Sequence, residues 1–219
     1  MDKVLSFLET LNSNNNREWF TNNRKMYDNA KLEFIDLVNK LINEIAVFDA
    51  EAGMNAAEKC IFRIYRDVRF SQNKLPYKTH MGAYIAPGGR NRGKAGYYIH
   101  IEPKGSFLAA GVYAPEPLAL KAIRQEIYYH AESFLDIMEK PSFKQKFGSM
   151  LEEKLVRPPK GFPKEFEHIE WLKYKHYVVS ASLKDKLLQQ SDLVDYIMKY
   201  FREAYPLNQF LNKAIQMIE

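Results

Sequence analysis

Apolar side chains recur every three or four residues in the first part of the chain. The repeat runs through Leu32, Ile35, Val38, Ile42 and Ile45. This spacing is typical of an amphipathic helix, and it predicts one that ends near Phe48, with a loop around Gly53. The asparagines at positions 14–16 offer N-caps for a shorter helix before it.

A strand-like pattern replaces this spacing in the middle of the chain. Runs of β-branched and aromatic residues predict strands at 60–70, 79–86, 97–102 and 106–113. The short links between them favour antiparallel order. The glycine-rich link PGGRNRGKAG predicts an exposed hairpin loop.

The helical spacing returns from Pro117, with one long helix predicted through Ile137 and closed near Pro141. A last strand is predicted at 177–182, and two helices begin near Ser191 and Pro206. Helices, a strand meander and helices again predict an α+β fold: an antiparallel sheet with the N- and C-terminal helices on one face. We expect a single domain over 1–219, helical in 1–50, sheet in 58–113 and mainly helical in 116–219.

Residue parity sorts the first predicted strand into two faces, because side chains alternate along a strand. Its even positions from Cys60 to Phe70 are mostly apolar, which predicts a core face and a buried thiol. Its odd positions form a polar face with Arg63, Asp67 and Arg69.

Arg66 breaks this pattern because it lies at an even, core-facing position. A buried guanidinium is costly without a partner. Two solutions are open: a bulge turns Arg66 outward, or an acid from a packed helix pairs with it.

The same parity test on the next two strands gathers more polar residues on one face. Tyr98, His100 and Glu102 alternate with apolar neighbours, as do His80 and Tyr84. One register of the hairpin sets His80 near Glu102 and Tyr84 near Tyr98.

Charge is concentrated in the same region. The net charge is +5, yet residues 63–104 hold nine lysines and arginines against two acids. This asymmetry indicates an anionic partner, although charged strand edges give the same pattern.

Apolar runs stay shorter than the ~20 residues of a membrane span. A single cysteine excludes a disulfide framework, and we expect a cytoplasmic protein.

The central motif supports a family resemblance. Arg63-x-x-Arg66-Asp67-x-Arg69-Phe70, followed by Asn73-Lys74 and Tyr77-Lys78, resembles the signature of the bacterial family called domain of unknown function 2461. The stretches NNNREWF, YYIHIEP and GVYAPEPLALKAIRQEI are also similar to that family. The resemblance covers nearly the whole chain and implies a single α+β domain, but it implies no particular activity.

The first functional hypothesis is a site for an anionic, phosphorylated ligand, because arginine offers a planar donor fork for oxyanions. The predicted ligand-binding residues are Arg63, Arg66, Asp67, Arg69, Lys74, Tyr77 and Lys78. Arg63 and Arg69 would clamp the anion and Asp67 would orient them. An enzyme would also need a proton-transfer group, and the candidates are His100, His80 and Glu102.

Two other interpretations stay open. A basic, tyrosine-bearing sheet face also suits single-stranded nucleic acid, helped by the loop cations Arg90, Arg92 and Lys94. Alternatively, the charged run is a structural salt-bridge network that binds nothing.

The histidines do not give a specific metal-binding pattern. His80, His100 and Glu102 could form a two-histidine, one-carboxylate metal set, but the spacing is generic and the sequence predicts no metal or cofactor. His168 and His176 are expected to be exposed. The sequence does not indicate an oligomeric state.

Overall fold

The N-terminal helical pattern forms a bundle around one long helix. The computed structural model describes residues 1–218, and its first five helices are α1 Asp2–Ser13, α2 Arg17–Asn22, α3 Arg24–Ala46, α4 Ala50–Gly53 and α5 Ala57–Cys60. Asn16 caps α2 as expected, since its side chain accepts a hydrogen bond from the Trp19 amide at 2.9 Å. The long helix stops two residues before Phe48, the predicted end.

The sheet is an antiparallel meander in chain order. Its strands are β1 Met81–Ile85, β2 Gly96–Ile101, β3 Phe107–Val112 and β4 Tyr177–Ser182. These confirm four of the five predicted strands and the α+β class. Tyr84 lies opposite Tyr98, as the predicted register required. The same register, continued by one residue, sets His80 beside Glu102.

The strand predicted at 60–70 is wrong. Cys60 ends α5, and the chain then touches the edge of β1 only at the Ile61–Ala83 bridge. Beyond that point it folds back on itself, so that the Lys78 amide donates to the Ile64 carbonyl. An alternating pattern forms a strand only where a partner strand runs beside it. The segment leaves the edge of the five-residue β1 after Phe62, so the rest of it has no partner strand.

Between residue 113 and residue 218, where the description of the chain ends, there are six helices. They are α6 Pro117–Tyr129, α7 Ala131–Met138, α8 Pro141–Phe147, α9 Ile169–Leu172, α10 Asp185–Leu188 and α11 Leu193–Gln216. The single helix predicted through Ile137 is instead broken at His130, whose backbone is not helical (φ −129°, ψ 44°). The two helices predicted near Ser191 and Pro206 are one, because α11 continues through Pro206.

The continuation through Pro206 has a packing explanation. A proline inside a helix costs about 3 kcal/mol. Residues on both sides of it, including Phe201, Ala204, Leu207 and Leu211, are buried in the core. Their burial outweighs the lost hydrogen bond and keeps α11 in one piece.

Helices α3 and α11 cover one face of the sheet. Tyr97 and Ile99 of β2 are fully buried there, and the Tyr97 ring lies 5.2 Å from that of Phe201. Two asparagines of α11 also bind the backbone at the start of β2. Asn212 accepts from the Ala95 amide at 2.7 Å and donates to the Ala95 carbonyl at 3.0 Å, while Asn208 donates to the Gly96 carbonyl at 3.0 Å.

This anchor corrects part of the prediction of an exposed hairpin loop. The tip of PGGRNRGKAG at 91–93 is exposed, but Ala95 and Gly96 are buried under α11. Within residues 1–218, the helices are all too short or too polar to cross a bilayer.

Glu203 ties α11 to α8. It accepts hydrogen bonds from Ser142 at 2.7 Å and Lys146 at 3.2 Å, and Lys140 lies 2.9 Å away. Burial alone would raise the pKa of Glu203, but hydrogen bonds from Lys140, Ser142 and Lys146 lower it to about 2. The ionised carboxylate therefore stabilises the fold.

We expect Glu203→Gln to lower the free energy of unfolding by about 1 kcal/mol at pH 7, because the lysine partners are partly solvated. An unfolded glutamate has a pKa of about 4.3. The wild-type protein should thus lose this contribution as the pH falls from about 5 towards 2, whereas the variant should not. Urea unfolding at several pH values measures both effects.

The control is Glu44→Gln on α3, which removes an exposed pair with Arg202, the residue next to Glu203 on α11. It should cost less than about 0.5 kcal/mol. An identical pH dependence of stability in wild type and Glu203→Gln would contradict the role assigned to Glu203.

Candidate functional site

A cavity of about 650 Å³ lies on the sheet face that α3 and α11 leave uncovered. Small residues of β3, Ala109 and Gly111, leave room for it. Aromatic and aliphatic side chains form much of the remaining wall: Phe62, Tyr84, Tyr98, Phe107, Tyr113, Leu151 and Val178. The cavity is thus largely apolar and adjoins the polar residues that parity gathered on this face.

Gly111 lines the cavity with a backbone conformation that favours glycine. Its φ of +115° is one that side chains rarely adopt, and a Cβ there would lie 1.9 Å from the Tyr177 carbonyl oxygen. Its own carbonyl oxygen lies 2.6 Å from the Tyr84 hydroxyl. Only glycine therefore fits this point of the cavity wall.

A chain of polar contacts runs along β2. The Tyr98 hydroxyl lies 2.9 Å from His100 Nδ1, and His100 Nε2 lies 3.3 Å from Glu102 Oε2. Thr79 Oγ1 donates to the other carboxylate oxygen, Glu102 Oε1, at 2.8 Å. Tyr98 and His100 of β2 and Glu102, which directly follows the strand, meet because every second side chain of a strand shares a face.

His80 joins this chain from across the hairpin. Its ring centre lies 4.2 Å from that of His100, and His80 also lines the cavity. Burial lowers the pKa of His80 to about 4, with a further contribution from His100. Burial likewise lowers the pKa of His100, although the Glu102 carboxylate opposes it. Both imidazoles are therefore neutral at pH 7.

Tyr98 and His100 are held within the sheet. Burial raises the pKa of Tyr98 to about 12, so its hydroxyl stays protonated. Both ring nitrogens of His100 already face partners on β2. A role for His100 as an acid or base stays a prediction, while His80 is the histidine on the cavity wall.

Two cations mark one end of the cavity. Lys78 Nζ and Arg90 Cζ lie 5.5 and 5.8 Å from the centre of the Phe62 ring. Arg90 is fixed by donating to the Glu58 and Lys59 carbonyls. Burial lowers the pKa of Lys78, and the charges of Arg63 and Arg90 add to this. Among residues 1–218, no carboxylate forms an ion pair with either Lys78 or Arg90.

Arg66 does not lie in the core: it is turned outward, as the first solution required, but by a loop and not by a strand bulge, and no acid pairs with it among residues 1–218. Its guanidinium is partly exposed and donates to the Leu75 carbonyl at 3.3 Å and to Ser71 Oγ at 3.4 Å. Lys74 donates to the Val68 carbonyl at 3.0 Å. These bonds close the 66–75 loop, and strand parity does not apply because the segment is not a strand.

Asp67 and Arg69 form a two-bond pair on the exposed side of this loop. Arg69 donates from Nε at 3.0 Å and from Nη2 at 2.7 Å, and these hydrogen bonds lower the pKa of Asp67. The predicted oxyanion clamp at Arg69 is thus occupied by its neighbour. Arg63 influences both Asp67 and Lys78 electrostatically. The clamp role of Arg63 and Arg69 stays a prediction.

Tyr77 lies in the core, away from the cavity. Its ring stacks on Phe20 with centroids 4.1 Å apart. The side chain of Asn15 binds both its amide and its carbonyl, at 3.1 and 3.0 Å. This position holds the returning segment against the N-terminal helices, and a ligand contact there stays a prediction.

Sequence reasoning missed several residues of this region. Phe62 was expected in the core, but it lies over Tyr98 with ring centroids 6.2 Å apart. His176 was expected to be exposed, yet it is buried, accepts from the Ala114 amide at 2.9 Å and lies 2.9 Å from Glu153. Its position directly before the predicted strand at 177–182 could have indicated burial, because a residue next to a core strand often lies against the core.

Gly82 makes room for the polar chain on β2. A Cβ at this position would lie 2.5 Å from the Tyr98 hydroxyl oxygen and 3.1 Å from two of its ring carbons. Tyr98 therefore occupies the space that a side chain at 82 would fill.

The comparisons with known proteins support one assignment. The model of the DUF2461 family, described as a conserved hypothetical protein, matches residues 3–210. The chain therefore belongs to this family. No curated protein and no solved structure matches it.

We expect Gly82→Ala to lower the free energy of unfolding by about 1–3 kcal/mol, because the added methyl group overpacks the space that Tyr98 fills. In a Tyr98→Phe background the nearest atom is gone, and the cost should fall by at least half. Urea unfolding of the four proteins measures this coupling. An equal cost in both backgrounds would show that Gly82 is not a space-making residue for Tyr98.

Proposed function

We propose that this DUF2461 protein binds a small anionic molecule with an apolar body in the cavity of the open sheet face. The observation that carries the proposal is the combination of an apolar cavity with two cations at one end that have no acidic partner among residues 1–218.

The size and walls of the cavity support a small molecule. Ligand pockets commonly measure about 300–1,000 Å³ and combine apolar walls with a few polar groups. This cavity has about 650 Å³, with Phe62, Phe107 and Leu151 among its walls. An aromatic or aliphatic body would bury its surface against these side chains.

The charge at one end supports an anionic head group. Lys78 and Arg90 both lie within 6 Å of the Phe62 ring centre, and Lys78 is partly buried. Like charges brought together in a partly buried site repel each other, and an anion between them would relieve that repulsion. Phosphate, sulfate and carboxylate all provide the oxygen acceptors that lysine and arginine bind.

This proposal moves the anion site from the arginine motif to its C-terminal end. Arg66, Arg69 and Lys74 bind groups of their own loop, which favours the structural interpretation for that part of the motif. Lys78 is the predicted cation that lines the cavity, and Arg63 supports its positive potential.

The nucleic-acid alternative has less support from the geometry. Bases stack on open aromatic platforms, whereas Tyr84 and Tyr98 line a cavity and their hydroxyls bind groups of the sheet.

A cytoplasmic location is in keeping with the one buried thiol, Cys60, which a reducing compartment leaves unpaired.

The test is isothermal titration calorimetry with phenyl phosphate, benzoate, decanoate, inorganic phosphate and neutral benzyl alcohol. We expect an anion with an apolar body to bind more tightly than either inorganic phosphate or benzyl alcohol. Lys78→Met should weaken that binding at least tenfold, because the charge is lost while the apolar stem is retained.

Arg69→Met distinguishes the cavity from the arginine loop. It removes a cation paired with Asp67 and should leave the affinity within about twofold of wild type. Failure of all the anions to bind, or equal binding by Lys78→Met and wild type, would overturn the proposal. Salt-sensitive binding of a single-stranded oligonucleotide, without any small-anion binding, would favour the nucleic-acid alternative.

A further inference from the structure

We infer that His80, His100 and Glu102 bind one divalent transition-metal ion beside the cavity. Each of the three offers one ligand atom, and these atoms all lie within 4.8 Å of one another. The inference concerns the metal alone and does not depend on the proposed anion site.

The sheet itself brings the three side chains together. His100 lies on β2 and Glu102 directly follows its last residue, so the two side chains, two residues apart, share a face. The last pair of β1 and β2 is Met81 with Ile101, and His80 and Glu102 are the next residues along the two chains, so the same register sets them side by side. Directly opposed side chains of an antiparallel pair have Cβ atoms about 4.5–5.5 Å apart, so the backbone holds the three residues within reach of one ion.

Two of the ligand atoms already have the separation of a metal site. Metal–nitrogen and metal–oxygen bonds to zinc measure about 2.0–2.2 Å, which sets neighbouring ligand atoms roughly 3–3.5 Å apart. His100 Nε2 and Glu102 Oε2 are 3.3 Å apart. His80 is only partly buried and borders the cavity, so rotation of its side chain can bring its ring nitrogen into the same sphere.

Neighbouring residues support the same two ligands from behind. The Tyr98 hydroxyl contacts His100 Nδ1 and leaves Nε2 for the ion. Thr79 binds Glu102 Oε1 and leaves Oε2. Metal-binding histidines and carboxylates usually have such partners on their other polar atom, because these orient the ligand.

The ligand types indicate the class of ion. Two imidazoles and one carboxylate suit zinc, iron(II) or cobalt(II), whereas magnesium and calcium prefer oxygen ligands. Three protein ligands leave coordination positions open. Since His80 lines the cavity, an open position would be accessible from it.

The experiment uses the full-length chain, stripped with EDTA and then titrated with Zn²⁺ by calorimetry. We expect one Zn²⁺ to bind per chain, with no binding of Mg²⁺ under the same conditions. Co²⁺ should bind at the same site and give visible absorption bands that Zn²⁺ abolishes.

Variants locate the site. Glu102→Gln and His80→Ala should each weaken Zn²⁺ binding at least 100-fold, and Thr79→Val about tenfold, since it removes only a supporting bond. Glu102→Gln keeps the size of the side chain, and circular dichroism verifies that each variant is folded.

The matched control is Glu153→Gln, which alters a second histidine–carboxylate pair, in which the exposed Glu153 faces the buried His176. It should bind Zn²⁺ as wild type does. The inference is overturned if wild type binds no Zn²⁺, if Glu102→Gln and His80→Ala bind it unchanged, or if Glu153→Gln weakens binding as much as they do.

Discussion

The side chain of Asn212 binds both backbone groups of Ala95, and the geometry of the sheet's open face depends on this contact. Buried amides and carbonyls need partners, and a glycine-rich loop offers few of its own. Asn212 supplies them from α11 for Ala95, and Asn208 donates to the carbonyl of Gly96. The start of β2 is thereby fixed relative to the helix layer. A slip of one residue would turn Tyr98 away from the cavity, and His100 and Glu102 away from the open face of the sheet.

Strand parity predicted the open face well because β2 has partners on both sides. Tyr97, Ile99 and Ile101 are buried under the helices, and the polar residues between them lie on the other face. The Tyr84–Tyr98 register followed from the same reasoning. Where no partner strand exists, parity fails: between 61 and 78 the chain pairs mainly with itself, so Phe62 borders the cavity and Arg66 bonds its own loop.

The helix boundaries show a different limit. Local sequence at Pro206 indicates a break, but packing on both sides of it decides for continuity. Local sequence between Leu120 and Ile137 indicates continuity, but the backbone breaks at His130. At Pro206 the outcome depends on core contacts with residues far along the chain. The sequence also does not distinguish paired cations from unpaired ones. Only the folded structure shows that Arg69 has an acidic partner while Lys78 and Arg90 have none among residues 1–218.

Gly82 links the stability of the sheet to the chemistry of its open face. Glycine within a strand costs about 0.5–1 kcal/mol relative to alanine, because the unfolded chain has more freedom. Here the missing side chain of Gly82 leaves the space that Tyr98 fills. The Tyr98 hydroxyl contacts His100 Nδ1, so Nε2 is the nitrogen of His100 that faces Glu102. A methyl group at position 82 would regain that entropy but would overlap Tyr98, so the sheet is more stable with the glycine, and the same empty position keeps the Tyr98 hydroxyl against His100.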